Sequence, residues 1–174
     1  RSLVIVGTSA LMLLLMLSGI GGASADTYVG GGLDAIEGGY DWSEDGSPYI
    51  VNETLVIEAG ETLTIGPGVT VLVDPGCTIE VRGTLLVEGN ATHPVVFDKN
   101  GTSRWNGIKS WGGSVANIEN AVFKNASAAI EAYDSDVTIV SSKFLGSSGI
   151  SPVYAVFNEG GSIEVDRCTI EAAS

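Results

Sequence analysis

Basic residues are scarce in this chain. Eight Lys and Arg face 21 Asp and Glu, for a formal net charge of −13 and a pI near 4.2. Nucleic-acid binders cluster Lys and Arg to displace counterions, so that class is excluded, as is docking on anionic lipid. Histidine occurs once, as His93, and cysteine twice, as Cys77 and Cys168. His93 has no Cys or His partner at ligand spacing, which leaves no zinc set. The chain also lacks a Gly-rich phosphate loop, a Ser-His-Asp set and a Cys-His pair. Helix-favouring charged runs are missing, while Gly is abundant at 24 residues. Many short strands and turns fit that composition. The acidic excess implies a well-solvated extracellular surface, with binding of cations such as Ca²⁺ as the sharper reading.

What is present is a repeat. Thr54-Leu55-Val56-Ile57, Thr62-Leu63-Thr64-Ile65, Thr70-Val71-Leu72-Val73 and Thr78-Ile79-Glu80-Val81 start eight residues apart, and Thr84-Leu85-Leu86-Val87 arrives two residues early. Gly and Pro punctuate the joints, as in Gly66-Pro67-Gly68 and Asp74-Pro75-Gly76. Each segment is β-branched, alternating and too short for a helix, so it reads as a strand. One face of these strands collects Leu55, Ile57, Leu63, Ile65, Val71, Val73, Ile79, Val81, Leu85 and Val87, all aliphatic. The other is mostly Thr. Such strands bury their apolar face by winding, so that each turn covers the last. Three octads make a turn of roughly 24 residues, within the solenoid range of about 20 to 50. Thr78 then stacks on Thr54, and Ile79 on Leu55. A parallel β-helix is the expected fold.

The chain divides into three parts. Residues 1–25 read as a secretory signal: Arg1, an apolar stretch from Leu3 to Ile20, then Ala23-Ser24-Ala25 as small residues before a cleavage point. Residues 26–47 are a Gly-rich acidic lead-in, with Trp42 and Tyr40 placed to cap the open end of a solenoid. Residues 48–174 form the β-helix itself, about five to six rungs, which the sequence leads us to expect continues past its last residue.

A second repeat lies further on. Ile118-Glu119-Asn120-Ala121-Val122-Phe123 matches Ile139-Val140-Ser141-Ser142-Lys143-Phe144 at an offset of 21, and Val165-Asp166-Arg167-Cys168-Thr169-Ile170 at a further 26. Ile118, Ile139 and Val165 should stack inside, as should Phe123, Phe144 and Ile170. Ala121, Ser142 and Cys168 share one small position, and Asn120 and Ser141 one turn position. The extra residues fall in Gly146 to Tyr154, read as an outward loop.

Tyr40 to Val51, Ala59 to Val69, Gly83-Thr84-Leu85, Pro94 to Phe97 and Trp105-Asn106-Gly107-Ile108 together resemble the N-terminal rungs of secreted right-handed parallel β-helix proteins. These are of the archaeal and bacterial cell-surface type, within the pectate-lyase-like superfamily. The resemblance covers roughly residues 40–170. It implies an all-β, right-handed, single-stranded parallel β-helix. For activity it implies little, since such folds carry lyases, hydrolases and adhesins alike.

Candidate sites are sparse. Asp134 and Asp136 share one turn and form the only calcium candidate. Asp98, Asp166, Arg82, Arg104 and Arg167 belong to the residue types that lyase chemistry uses, but in the expected register Asp136 falls near Ser162 and Asp166 near Val140, so they do not converge. Trp105, Trp111 and Tyr133 are candidates for an outward sugar-stacking strip, with packing against the rung as the competing role of Trp105. Asn52, Asn90, Asn100 and Asn125 open N-glycosylation sequons in turns or loops. A Cys77–Cys168 disulfide is disfavoured: about four rungs at ~4.8 Å separate them, and a disulfide needs Cα atoms within about 7 Å. The expected function is therefore non-catalytic, a secreted or cell-surface segment with a structural, adhesive or carbohydrate-contacting role. Its partners would be polysaccharide or other surface components, without cofactor, nucleic acid or membrane contact by the mature domain. The alternatives are the N-terminal part of a polysaccharide lyase or glycoside hydrolase with its active rungs beyond residue 174, and a filament subunit joined end to end.

Overall fold

The structure, a computed structural model, describes residues 26–32, 40–146 and 154–171. The expected signal segment and most of the expected outward loop lie outside these residues. Among the described residues the strands all pair in parallel, in one sheet of 15 strands coiled into a β-solenoid of about five turns. Among the described residues helix is confined to a single 3-10 turn at Glu44–Gly46.

Three faces make the wall. The first stacks β1 (Thr27–Gly32), the start of β3 (Tyr49–Ile57), β5 (Thr70–Val73), β8 (Val95–Lys99), β11 (Ala121–Lys124), β13 (Lys143–Leu145) and β15 (Thr169–Glu171). On the second, the end of β3 is followed by β6 (Ile79–Val81), β9 (Ile108–Trp111) and the first halves of β12 (Ala128–Val140) and β14 (Tyr154–Asp166). The third runs from β2 (Asp41–Trp42) through β4 (Thr62–Ile65), β7 (Thr84–Glu88) and β10 (Val115–Glu119) to the second halves of β12 and β14. The turns are unequal. On the third face a short turn carries the chain from Ala116 to Val137, and a long one carries it from Leu85 to Ala116.

The register follows the alternation. Ile79 stacks on Leu55, Ile139 lies between Ile118 and Val165, and Phe144 lies between Phe123 and Ile170. The aliphatic positions from Leu55 to Val87 are buried inside, while Thr62 and Thr84 pair on the outside. The core is thus a set of side-chain columns, each link worth about 1.5–3 kcal/mol of burial per aliphatic residue. At the short turn Arg82-Gly83 before Thr84, Gly83 packs against the Glu58–Glu61 turn, where a Cβ would overlap the carbonyls of Glu58 and Glu61.

The corners are built from repeating special residues. Asn120, Ser141 and Arg167 occupy one corner on successive turns, all in the left-handed region at φ 48°, 52° and 50°. The small residues that follow link successive turns: the Ala121 N–H donates to Ser142 Oγ at 3.0 Å, and the Ser142 N–H to Cys168 Sγ at 3.4 Å. These bonds satisfy backbone groups that a sharp corner would leave unpaired. Within the lead-in, Thr27–Gly32 lies along β3 as part of the wall. Trp42 is buried and stacked on Tyr49 at 4.5 Å, while Tyr40 is exposed.

This register makes a paired prediction. Ile139→Ala removes a fully buried side chain from between two others and should cost about 2–5 kcal/mol in urea unfolding. Thr64→Ala changes a half-buried outward residue and should cost under ~1 kcal/mol. Equal losses at the two positions would contradict the assignment of inside and outside.

Candidate functional site

The outer surface of the second face carries the densest set of unusual side chains. Lys109 and Glu131 pair across adjacent turns at 2.9 Å. The hydrogen bond to Glu131 holds the Lys109 ammonium above the usual lysine range, while partial burial works the other way. Two residues further along each strand, Trp111 and Tyr133 are in register and stack at 4.6 Å with an interplanar angle of 14°. Phe157, in register with Glu131, adds a third ring, tilted by 51° at 5.8 Å from Tyr133. Trp111 is 38% exposed and Phe157 36%.

Trp105 does not join these rings. It is 0% exposed, stacks on Phe97 inside the wall at 6.2 Å and donates its indole N–H to the Lys124 carbonyl at 2.9 Å. A buried indole with its N–H satisfied by backbone is a wall residue. Phe157 was missed in the sequence because it is offset from the Tyr133 register by one pleat pair. The signal was there: Phe157 follows Glu131 by the same offset that separates Val165 from Ile139 in the second repeat. The stacking also limits what the rings can bind. Trp111 and Tyr133 spend facing surfaces on each other, so a sugar ring meets only their edges and the outer face at the end of the stack.

Asp134 and Asp136 flank the buried Ser135 at the corner within β12. Asp134 is itself left-handed, at φ 49°. Its carboxylate lies against Gly160 of the next turn, in the space that a Cβ there would take. Asp136 is in register with Ser162, and Val140 with Asp166. Ca²⁺ takes about six to eight oxygen ligands. Among the described residues no group of three or more His, Cys, Asp and Glu side chains is placed to hold a metal ion.

The sequon asparagines divide in two. Asn100 donates its amide nitrogen to Asp74 Oδ1 at 2.6 Å, and Asn125 donates to Asp98 Oδ1 at 2.7 Å, each bond joining neighbouring turns. The atom a glycan would occupy is committed at both. Asn90 is exposed and uses its Oδ1, which accepts from the Thr92 N–H at 3.0 Å, the Thr92 hydroxyl at 2.8 Å and the His93 N–H at 2.9 Å. Asn52 is exposed within β3.

The third face holds a pair that sequence reasoning passed over. Glu88 and Glu119 are in register on adjacent turns. They line a shallow groove of ≈ 230 Å³ together with Asn117 and Thr138. They stand at the two ends of the long turn on this face, so no fixed period revealed the pair.

The cations are mostly spent locally. Arg82 reaches Glu80 at 3.1 Å and Glu58 at 3.4 Å, Arg167 reaches Asp166 at 2.7 Å, and Lys99 donates to the Thr102 carbonyl at 3.0 Å. Both cysteines are free thiols. Burial first, then the charges of Asp74 and Glu53, push the Cys77 thiol up. We expect two titratable thiols in the denatured monomer, with Cys77 reacting slowly in the folded chain until the pH is raised. A denatured monomer with none would contradict the register.

Comparison with protein-family models, with curated proteins and with solved structures finds no match to this chain. Among the described residues no helix is long and apolar enough to cross a membrane.

Proposed function

We propose that the chain is a non-catalytic β-solenoid segment of a secreted or cell-surface protein, with a structural role and a carbohydrate-contacting outer face. The observation that carries this reading is the pairing of Trp111, Tyr133 and Phe157 with the Lys109–Glu131 ion pair on one exposed face. A polysaccharide chain lying on that face would meet ring edges for its C–H groups and fixed charges for its hydroxyls. Arg82 and Arg167 are held by carboxylates of their own or adjacent turns, which supports a wall role over proton abstraction.

The test is co-sedimentation with a panel of insoluble neutral and acidic polysaccharides. Retention on at least one, weakened about tenfold by Trp111→Ala with little change in unfolding midpoint, is the expected result. Equal retention of both proteins would remove the aromatic face from the account.

A second reading, part of a polysaccharide hydrolase or lyase, draws on Glu88 and Glu119. Two carboxylates flanking a bond are the usual equipment of glycoside hydrolysis. Release of reducing sugar that is abolished by both Glu88→Gln and Glu119→Gln would favour it over the structural role.

A further inference from the structure

The chain contains two Asn-Gly steps, Asn100-Gly101 and Asn106-Gly107, and the fold treats them in opposite ways. An Asn-Gly step is chemically fragile because glycine leaves its backbone nitrogen unshielded beside the asparagine amide. We propose that Asn100 is a site of spontaneous deamidation, with water as the reagent, and that Asn106 is protected from it.

Asn100 sits in the polar loop after β8. Its own N–H is held by the Val73 carbonyl at 2.8 Å. Gly101 is exposed at φ 104°, with nothing within 4 Å of the place a Cβ would occupy. Among the described residues the Gly101 nitrogen enters no hydrogen bond. It is therefore accessible to base and free to swing toward the side chain. In the reaction that nitrogen gives its proton to solvent base and bonds to Asn100 Cγ. The Cγ–Nδ2 bond breaks, and the nitrogen leaves as ammonia after taking up a proton from water. Water then opens the five-membered imide. Cleavage at Cγ gives aspartate, and cleavage at the main-chain carbonyl gives isoaspartate.

Asn106 cannot follow that path in the folded chain. Its N–H is bound to the Cys77 carbonyl at 3.0 Å and its amide nitrogen to the Gly76 carbonyl at 2.8 Å, as the same groups of Asn100 are bound to Val73 and Asp74, so the difference lies in the glycine that follows. Gly107 is buried against the backbone of Ala128, and its own carbonyl accepts from the Ile79 N–H at 3.1 Å. Rotation at this step would break the column.

The conversion has a structural consequence. The Asn100 amide donates to Asp74 Oδ1. The product places a second carboxylate against the first, and two like charges at that distance repel. It also destroys the sequon Asn100-Gly101-Thr102. The site therefore ages one corner of the first face by turning a cross-turn hydrogen bond into a repulsion.

The experiment incubates the folded chain at mildly alkaline pH and follows each asparagine by peptide mass mapping with isoaspartate detection. The expected result is acid formation at Asn100, mostly isoaspartate, with Asn106 intact, and conversion at both in a urea-unfolded control. Equal rates at Asn100 and Asn106 in the folded chain, or an Asn100 that survives while the unfolded control reacts, would overturn the proposal. The consequence is read separately with Asn100→Asp and Asn100→Ala. A second carboxylate facing Asp74 raises a folded-state pKa, so the penalty is present at neutral pH and disappears as pH falls below the carboxylate range. Asn100→Asp should therefore have a lower unfolding midpoint than Asn100→Ala at neutral pH and lose that deficit in acid. Identical pH profiles for the two variants would contradict the repulsion.

Discussion

Phe123→Ala should lower the stability of the solenoid by about 3–5 kcal/mol. Phe123 is the middle ring of a column, 4.9 Å from Phe97 and 5.2 Å from Phe144, with interplanar angles of 3° and 8°. It is 1% exposed. Each ring comes from a different turn, so the void left by alanine cannot be filled by a local shift. The flanking rings are fixed by the backbone pairing of β8 and β13 with β11. Two ring–ring contacts are lost as well, each worth about 0.5–1.5 kcal/mol beyond burial. A single domain is stable by only about 5–15 kcal/mol, so the variant stands near the threshold of folding. Solenoid stability is a sum over turns and their interfaces. The denaturation curve should accordingly broaden or split, as turns on one side of the void melt before those on the other. Phe123→Leu refills part of the space but loses the same two ring contacts, and should cost less than the alanine variant, about 1–3 kcal/mol. A loss below about 1 kcal/mol for the alanine variant, the range of surface substitutions, would place the ring outside the core, contrary to the register.

The second large effect is expected at Gly107. Its φ of 95° is a conformation that side chains avoid, and a Cβ built there overlaps the carbonyl of Ala128. Ala128 begins β12, and nearby Ile130 is in register with Ile108. The obstacle is therefore backbone locked in a ladder, which cannot give way as a flexible side-chain tip would. Strain at an unfavourable φ contributes about 1–3 kcal/mol and overpacking a similar amount. Gly107→Ala should lose several kcal/mol or fail to yield folded protein. Gly60 is the control. Its φ is 89°, but nothing lies within 4 Å of its would-be Cβ. Gly60→Ala meets the strain without the overlap, and should remain folded with about 1–2 kcal/mol lost. If both variants unfold at the same urea concentration, the close approach at Ala128 is not the controlling contact.

Much of this architecture was legible because the interior and exterior alternate with a period of two. Ile118, Ile139 and Val165 could be aligned from sequence, since a slip of one residue would have sent every aliphatic side chain outward. Phe123, Phe144 and Ile170 followed from the same constraint, but only in register: Val165 and Ile170, on the last described turn, are 47% and 69% exposed rather than inside. The corners were harder. Nothing in Tyr133-Asp134-Ser135 signals that one strand passes through a corner without ending. The left-handed turn at Asp134 is tolerated by a short polar side chain rather than demanded by a glycine. Trp105 could be read either way, because the wall residues beside a glycine are judged by neighbours on other turns. The Glu88–Glu119 pair and the Asp74–Asn100 bond were invisible for a related reason. Turn length is not constant along the solenoid, so spacing along the chain does not report which side chains become neighbours.

The unequal turns also describe a mechanical element. The backbone hydrogen bonds joining one turn to the next lie along the solenoid axis. Tension applied end to end along that axis therefore loads one interface after another, and yields by peeling single turns. A turn of roughly 20–30 residues, extended at about 3.4 Å per residue, adds about 70–100 Å of chain as it peels. A chain held at both ends would lengthen in steps of uneven size, the largest where Glu88 and Glu119 part.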